Sequence, residues 1–285
     1  GHEASGTIEA AGAAVRGFAP GDRVLLPAVL TCGACRYCRL GRENLCDRLE
    51  MFGNHRDGAY AEFVTAPAKD CFALPAEIPL EEAAVIADAV STPYHAVKNR
   101  GNVRPGDSVV VFGCGGVGIN VVQCAAAAGA FVIAVDVNPE RLAVARLLGA
   151  AEALDARDDE RPDKTVRALT GGGADVAFEA IGNPVTIRNA YGAIRKGGRL
   201  CVIGYCREEV SFAVSRLMFY ELEVVGSLGC RPVDYPPLIE MVRRGRIRVG
   251  PIVTHRFGLG RIHDAFDAAR AGKGLRSVVV PGMGD

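Results

Sequence analysis

The chain is 285 residues long, and 49% hydrophobic against 23% charged residues gives enough apolar material for one large domain or two medium ones. Its 33 basic and 33 acidic side chains cancel and are interspersed, which removes the electrostatic case for nucleic acid or an anionic membrane and leaves small molecules as the expected partners. The most apolar stretch, "VVQCAAAAGAFVIAV", is broken by Gln123 and Gly129 and runs into Asp136, so it reads as a helix passing into a strand, with no membrane span and no signal peptide expected.

From Gly1 to Ala89, glycine, proline and short β-branched runs such as "DRVLLPAV" and "AEFVTAP" predict short strands and long loops. The first residues, Gly1, His2 and Glu3, place two candidate metal ligands beside small residues, Ala4, Ser5 and Gly6, that would let a metal and a substrate approach closely. Taken singly, His2, His55, His95, His255 and His263 each read as surface or satisfied core residues. "CGACRYCRLGRENLC" spaces Cys32, Cys35, Cys38 and Cys46 as C-x2-C-x2-C-x7-C, in a loop with Gly33, Gly41, Arg36 and Arg39. Four thiolates so spaced can wrap one tetrahedral zinc; an iron–sulfur cluster is the chemical rival, and two disulfides are a third reading that x2 spacing strains. The other six cysteines are scattered through apolar surroundings, as small hydrophobes in a reducing compartment are, so a cytoplasmic location is expected. Asp88, after the apolar run "AAVIA", is a second ligand candidate, because a buried acid without a partner is costly; N-capping the next helix is its alternative role.

Periodicity changes at "DSVVVFG". Apolar strands ("SVVVFG", "FVIAVD", "DVAFEA", "RLCVIG") alternate with helical segments over 115–128, 139–148 and 184–195, the pattern of a parallel sheet covered on both faces. Gly113, Gly115 and Gly118 form G-x-G-x-x-G directly after a strand and at a helix start, where a tight turn, close backbone approach and helix–strand packing suit a dinucleotide pyrophosphate. Asp136, at the end of the next strand, can accept both ribose hydroxyls of NAD and would repel the 2′-phosphate of NADP; a glycine-rich turn with a surface aspartate is the bland alternative. "PPLIEMVRRGRI" and "GRIHDAFDAARAG" then give two amphipathic helices before a final strand, "SVVV".

Taken together, "GHEASGTIEAAGAAVRGFAPGDRV", the four-cysteine lobe, "RDGAYAEFV", "VSTPYHAV", "VFGCGGVG", "VDVNPERL" and "GKGLRSVVV" resemble the zinc-dependent medium-chain alcohol dehydrogenases over essentially the whole chain. The resemblance implies an α/β fold, a Rossmann doubly wound parallel sheet inserted in a GroES-like β-rich catalytic domain. That gives 1–89 as catalytic domain with a structural zinc lobe, 90–230 as NAD-binding domain and 231–285 as the return to the catalytic domain. It implies catalytic-zinc roles for His2, Glu3 and Asp88, with Thr92 near the nicotinamide. It also implies cofactor contacts from Gly113, Gly115, Gly116, Val117 and Gly118 at the pyrophosphate, Asp136 and Arg141 at the adenosine, and Arg276 at the phosphates. The activity implied is reversible hydride transfer between a secondary alcohol and NAD in a homodimer or homotetramer. An incomplete, non-catalytic NAD-binding protein and a zinc-free quinone or enoyl reductase are the alternatives.

The family pattern also has roughly sixty residues ahead of the Gly-His-Glu motif, carrying a first zinc ligand and the start of a proton relay. The N-terminal part of the catalytic domain is therefore expected to be missing from this chain, since a domain short of several strands would expose edges. Within the family, "VIADAVSTPYHAV", "SRLMFYELEVVGSLGC" and "RPVDYPPLIEMV" resemble a member that oxidises a ring alcohol carried as its CoA thioester. Arg231, Arg243 and Arg244 are then candidates for the CoA phosphates, or else solvated surface charges.

Overall fold

Short runs with one apolar face become strands near the N-terminus. Ala4–Thr7 (β1) pairs antiparallel with Arg23–Leu26 (β2), which pairs in turn with Phe72–Ala73 (β5), and a separate two-stranded ladder joins Val29–Leu30 (β3) to Glu50–Met51 (β4). Val24, Leu26, Leu30 and Phe52 form the buried cluster under these strands, each fully buried side chain contributing about 1.5–3 kcal/mol over exposure. The cysteine lobe carries a single helical turn, Arg36–Arg39 (α1). Beyond β5, Leu80–Ala83 (α2) runs into a 3₁₀ turn, Ala84–Ala87, that ends at Asp88.

The computed structural model describes residues 1–283, and the chain divides into two units: Gly1–Ser91 with the segment from Gly229 onward, and Thr92–Leu228. The second unit follows Ser91–His95 (α3) and a π-helical stretch, Ala96–Gly101. Its strands are Ser108–Phe112 (β6), Phe131–Asp136 (β7), Glu152–Asp155 (β8), Ala174–Glu179 (β9), Ile194–Val202 (β10) and Glu223–Gly226 (β11). All five pairings are parallel, in the order β11-β10-β9-β6-β7-β8. Val109, Val110 and Val111 are wholly buried, as a strand covered on both faces requires. Consecutive strands lie side by side except β8 and β9: from β8 at one edge the chain returns to place β9 on the other side of β6, and the point between β6 and β9 is the switch point of a doubly wound sheet, where such folds bind ligands.

Helices cover the sheet: Gly118–Ala127 (α4), Pro139–Leu147 (α5), Pro162–Leu169 (α6), Pro184–Ala193 (α7) and Val214–Phe219 (α8). α5 and α7 start alike. Asn138 and Asn183 accept backbone N–H groups of the first turn, and a proline follows each, pre-set for the first helical position. The helix expected over 115–128 begins only at Gly118, because Gly113, at φ +91, turns the chain and residues 114–117 complete that turn.

The chain returns to the first unit through Tyr235–Arg243 (α9), Val253–Phe257 (β12), Ile262–Arg270 (α10) and Arg276–Val279 (β13), with β12 and β13 paired parallel. Among the described residues no helix is long and apolar enough to cross a membrane.

Candidate active site

Three clusters of polar groups stand out. In the lobe, one sulfur from each of Cys32, Cys35, Cys38 and Cys46 lies within 4.8 Å of the others. Tetrahedral zinc with bonds of about 2.3 Å places its sulfurs about 3.8 Å apart, and the measured separations of 3.5 Å (Cys35–Cys38) and 3.9 Å (Cys32–Cys38 and Cys35–Cys46) fit that spacing. Backbone N–H groups of Ala34 and Cys35 point at the Cys32 sulfur and, with the Arg48 side chain contributing, hold its thiol down to about 5. Burial, with neighbouring thiols adding, pushes Cys38 up to about 12. Packed this closely, four thiolates repel one another, and a divalent ion relieves the repulsion. All ten cysteines are unbridged, so the disulfide reading is set aside.

The second cluster is built across the first unit. His2 Nε2 lies 3.2 Å from Asp88 Oδ2, close to the roughly 3.4 Å between two ligand atoms of a tetrahedral zinc site. The hydrogen bond to Asp88 raises the His2 pKa, against the opposing pull of burial. Asp88 ends the 3₁₀ turn at φ −143, ψ −53. Glu3 faces elsewhere: its Oε1 accepts the Ala89 N–H at 2.6 Å, and its Oε2 lies 3.7 Å from Arg276 Nη1. Burial raises the Glu3 pKa, with Arg276 opposing. Among the described residues the four cysteines are the one group of three or more such ligands so closely gathered. His2 and Asp88 are therefore a pair of donors with Glu3 held beside them.

The third cluster lies at the switch point of the second unit. A Cβ at Gly118 would overlap the Gly113 carbonyl, and one at Gly113 would strike Ile181, whereas one at Gly115 would meet nothing nearer than Arg141 Nη1 at 3.9 Å. Gly113 and Gly118 are thus glycines for packing, and Gly115 for open approach. The Gly116 carbonyl accepts from Asn120 Nδ2 at 2.9 Å, and Val117 caps α4. Asp136, buried at the end of β7, accepts the Cys114 N–H at 2.6 Å and the Asn138 N–H at 2.9 Å, which fixes its carboxylate against the glycine turn while leaving further lone pairs for a ligand. The guanidinium of Arg141 lies beside the glycine turn, its Nη1 3.9 Å from where a Cβ on Gly115 would stand, which puts a cation at the mouth of the turn. Thr92 is buried in α3.

Arg231, Arg243 and Arg244 are each engaged. Arg231 Nε lies 2.9 Å from Asp234 Oδ2, and Arg243 and Arg244 both meet Glu240, at 2.7 and 2.5 Å. The sequence reading also passed over Glu179. This wholly buried carboxylate ends β9 as Asp136 ends β7 and accepts from Ile181 N, Gly182 N and Thr186 Oγ1. Its signal was visible, since "DVAFE" closes an apolar strand on an acid just as "FVIAVD" does.

The family model for the alcohol dehydrogenase GroES-like domain matches residues 1–76, and that for the zinc-binding dehydrogenase matches residues 116–244. L-Idonate 5-dehydrogenase of Vitis vinifera is 33% identical over 285 residues, spanning 97% of this chain and 77% of the relative. The chain belongs to the zinc-dependent alcohol dehydrogenase family. Sorbitol dehydrogenase of Bacillus subtilis is 32% identical over 272 residues, covering 94% of this chain and 76% of its own. Among solved structures, alcohol dehydrogenase TADH from Thermus sp. ATN1 superposes with a TM-score of 0.93 at 30% identity, over 99% of this chain and 83% of that one. Family members thus share the GroES-like and Rossmann-type parts described above.

Proposed function

We propose that the chain is an NAD-dependent dehydrogenase of secondary alcohols, with structural zinc in the cysteine lobe and catalytic zinc at His2 and Asp88. The observation that carries this is the approach of His2 to Asp88 at 3.2 Å in a chain whose second unit has a dinucleotide turn at its switch point. When bound, zinc supplies Lewis acidity toward the alcohol oxygen, and NAD supplies the acceptor for the carbinol hydride.

The chain's own residues bind and orient. His2 and Asp88 offer one nitrogen and one carboxylate, and Glu3, held on Ala89 N–H and Arg276, lies beside them as a near donor that would have to leave those partners to exchange in. Gly113, Gly115, Gly116, Val117 and Gly118 receive the pyrophosphate, Asp136 and Arg141 the adenosine, and Thr92 and Arg276 are the remaining cofactor contacts. Asp136 makes NAD the preferred cofactor over NADP.

Relatives named for a polyol and for a sugar acid support a secondary alcohol as the substrate class. The narrower reading is a ring alcohol borne as a CoA thioester, as in 6-hydroxycyclohex-1-ene-1-carbonyl-CoA dehydrogenase, and it rests on the three stretches quoted for it. Because Arg231, Arg243 and Arg244 are already ion-paired, turnover of the free alcohol and of its CoA thioester should be compared directly. A homodimer or homotetramer is supported by the exposure of Val214, Met218 and Phe219 on α8 and of Val224 on the edge strand β11; sedimentation reads it. A reducing, cytoplasmic setting is supported by the six cysteines outside the lobe, scattered through apolar surroundings as small hydrophobes.

Metal analysis of the purified protein tests the reading. About two zinc ions per chain support it, about one would indicate a non-catalytic NAD-binding protein, and none would indicate a zinc-free reductase.

A further inference from the structure

We propose that Tyr235 is a positioning residue for Asp88, its buried hydroxyl fixing the turn that aims the aspartate at His2. The inference rests on His2 and Asp88 being metal donors. Tyr235 begins α9, is 3% exposed, and stacks on Phe72 with ring centroids 4.7 Å apart and planes 20° from parallel. Its Oη donates to the Ala87 carbonyl at 2.7 Å. A 3₁₀ turn that continued would give that carbonyl the Val90 N–H, but Val90 donates to Val85 instead, at 3.1 Å. Ser91 Oγ approaches both the Ala87 carbonyl, at 3.0 Å, and Tyr235 Oη, at 3.2 Å, with one proton to give. Tyr235, at 2.7 Å against 3.0 Å for Ser91, is the closer of the two donors to the Ala87 carbonyl.

The other side of Asp88 is held too. The Ala89 N–H, in the peptide that follows Asp88, donates to Glu3 Oε1 at 2.6 Å. With the peptide before Asp88 pinned by Tyr235 and the one after it by Glu3, the Cα–Cβ direction of Asp88 is set through the backbone. Groups that orient a ligand in this way typically change metal affinity by about 10–100-fold when removed.

The test uses the whole chain, stripped of metal, given one equivalent of zinc to fill the cysteine lobe, and titrated with cobalt chloride against a competing chelator. His2→Ala assigns the second equivalent by abolishing it. Tyr235→Phe keeps the ring and its stacking, and its cobalt Kd is expected to rise about tenfold. Its zinc affinity in the lobe and its thermal midpoint should stay near those of the wild type, which general loosening of the fold would not allow. Ser91→Ala is expected to give a smaller rise, and carries the test should Tyr235→Phe fail to fold. A Tyr235→Phe protein that binds the second equivalent as tightly as wild type, or that weakens both equivalents alike, overturns the positioning role. A wild type that takes up only one equivalent overturns the metal reading along with it.

Discussion

His2 and Asp88 stand 86 residues apart in sequence and 3.2 Å apart in space, nitrogen to carboxylate oxygen, with side chains 38% and 29% exposed. Half-buried and still open to solvent, the pair suits donors that must also admit a substrate. A purely structural ion pair gains little at such exposure, typically about 0–1 kcal/mol.

Asp88→Ala should therefore affect chemistry far more than folding. We expect the zinc content to fall by about one ion per chain and the rate of NADH formation to fall at least about a hundredfold, while NADH binding persists. Metal analysis and fluorescence titration with NADH read the two effects separately. Unchanged zinc together with an unchanged rate would remove Asp88 from the site.

The lobe makes a different prediction. Excess chelator should free four additional thiols per chain toward a thiol reagent, one for each of Cys32, Cys35, Cys38 and Cys46, and should expose the loop around them to proteolysis. No increase in reactive thiols after chelation would show that no metal was held there.

The glycine turn permits no side chain at its third glycine. Gly118→Ala drives a Cβ into the Gly113 carbonyl, so either α4 or the turn must move. A loss of about 2–3 kcal/mol in unfolding free energy and at least tenfold weaker NADH binding are expected. Denaturant titration and NADH fluorescence measure them, and wild-type values for both would contradict the packing role.

Glu240 offers a test of pH dependence. Hydrogen bonds from Arg243 and then Arg244 lower its pKa to about 2, from an ordinary value of 4.5. A lowered carboxylate stabilises the fold above its unfolded pKa, and that contribution is lost as pH falls from 4.5 through about 2. Glu240→Gln should thus be slightly less stable than wild type at pH 7, with the difference shrinking as the solution is acidified below 4.5. A difference that grew with acid would reverse the sign. Glu240 is exposed, so the effect at pH 7 is small.

Much of this is legible in the sequence because it is local. The glycine turn, Asp136 and the cysteine lobe are each written in a single short stretch, and the turn sits between β6 and α4 where a strand-then-helix pattern predicts it. The edge strands β8 and β11 are not legible: "EALD" and "EVVG" are short and only partly covered, so they lack the continuous apolar run that marked their neighbours. The His2–Asp88 approach comes into view only through family resemblance, because no periodicity links residues so far apart. Tyr235 is harder still. Its partner Ala87 lies 148 residues away, and a tyrosine opening an amphipathic helix looks the same in sequence whether or not its hydroxyl holds a distant carbonyl.

The most direct measurement is absorbance at the NADH band when NAD and a secondary alcohol are added to the purified protein, across open-chain polyols and cyclic alcohols. The account predicts an increase that scales with protein concentration, disappears in Asp88→Ala, and is larger with NAD than with NADP. No increase with any of these alcohols, in protein that carries two zinc ions per chain and binds NADH, would contradict it.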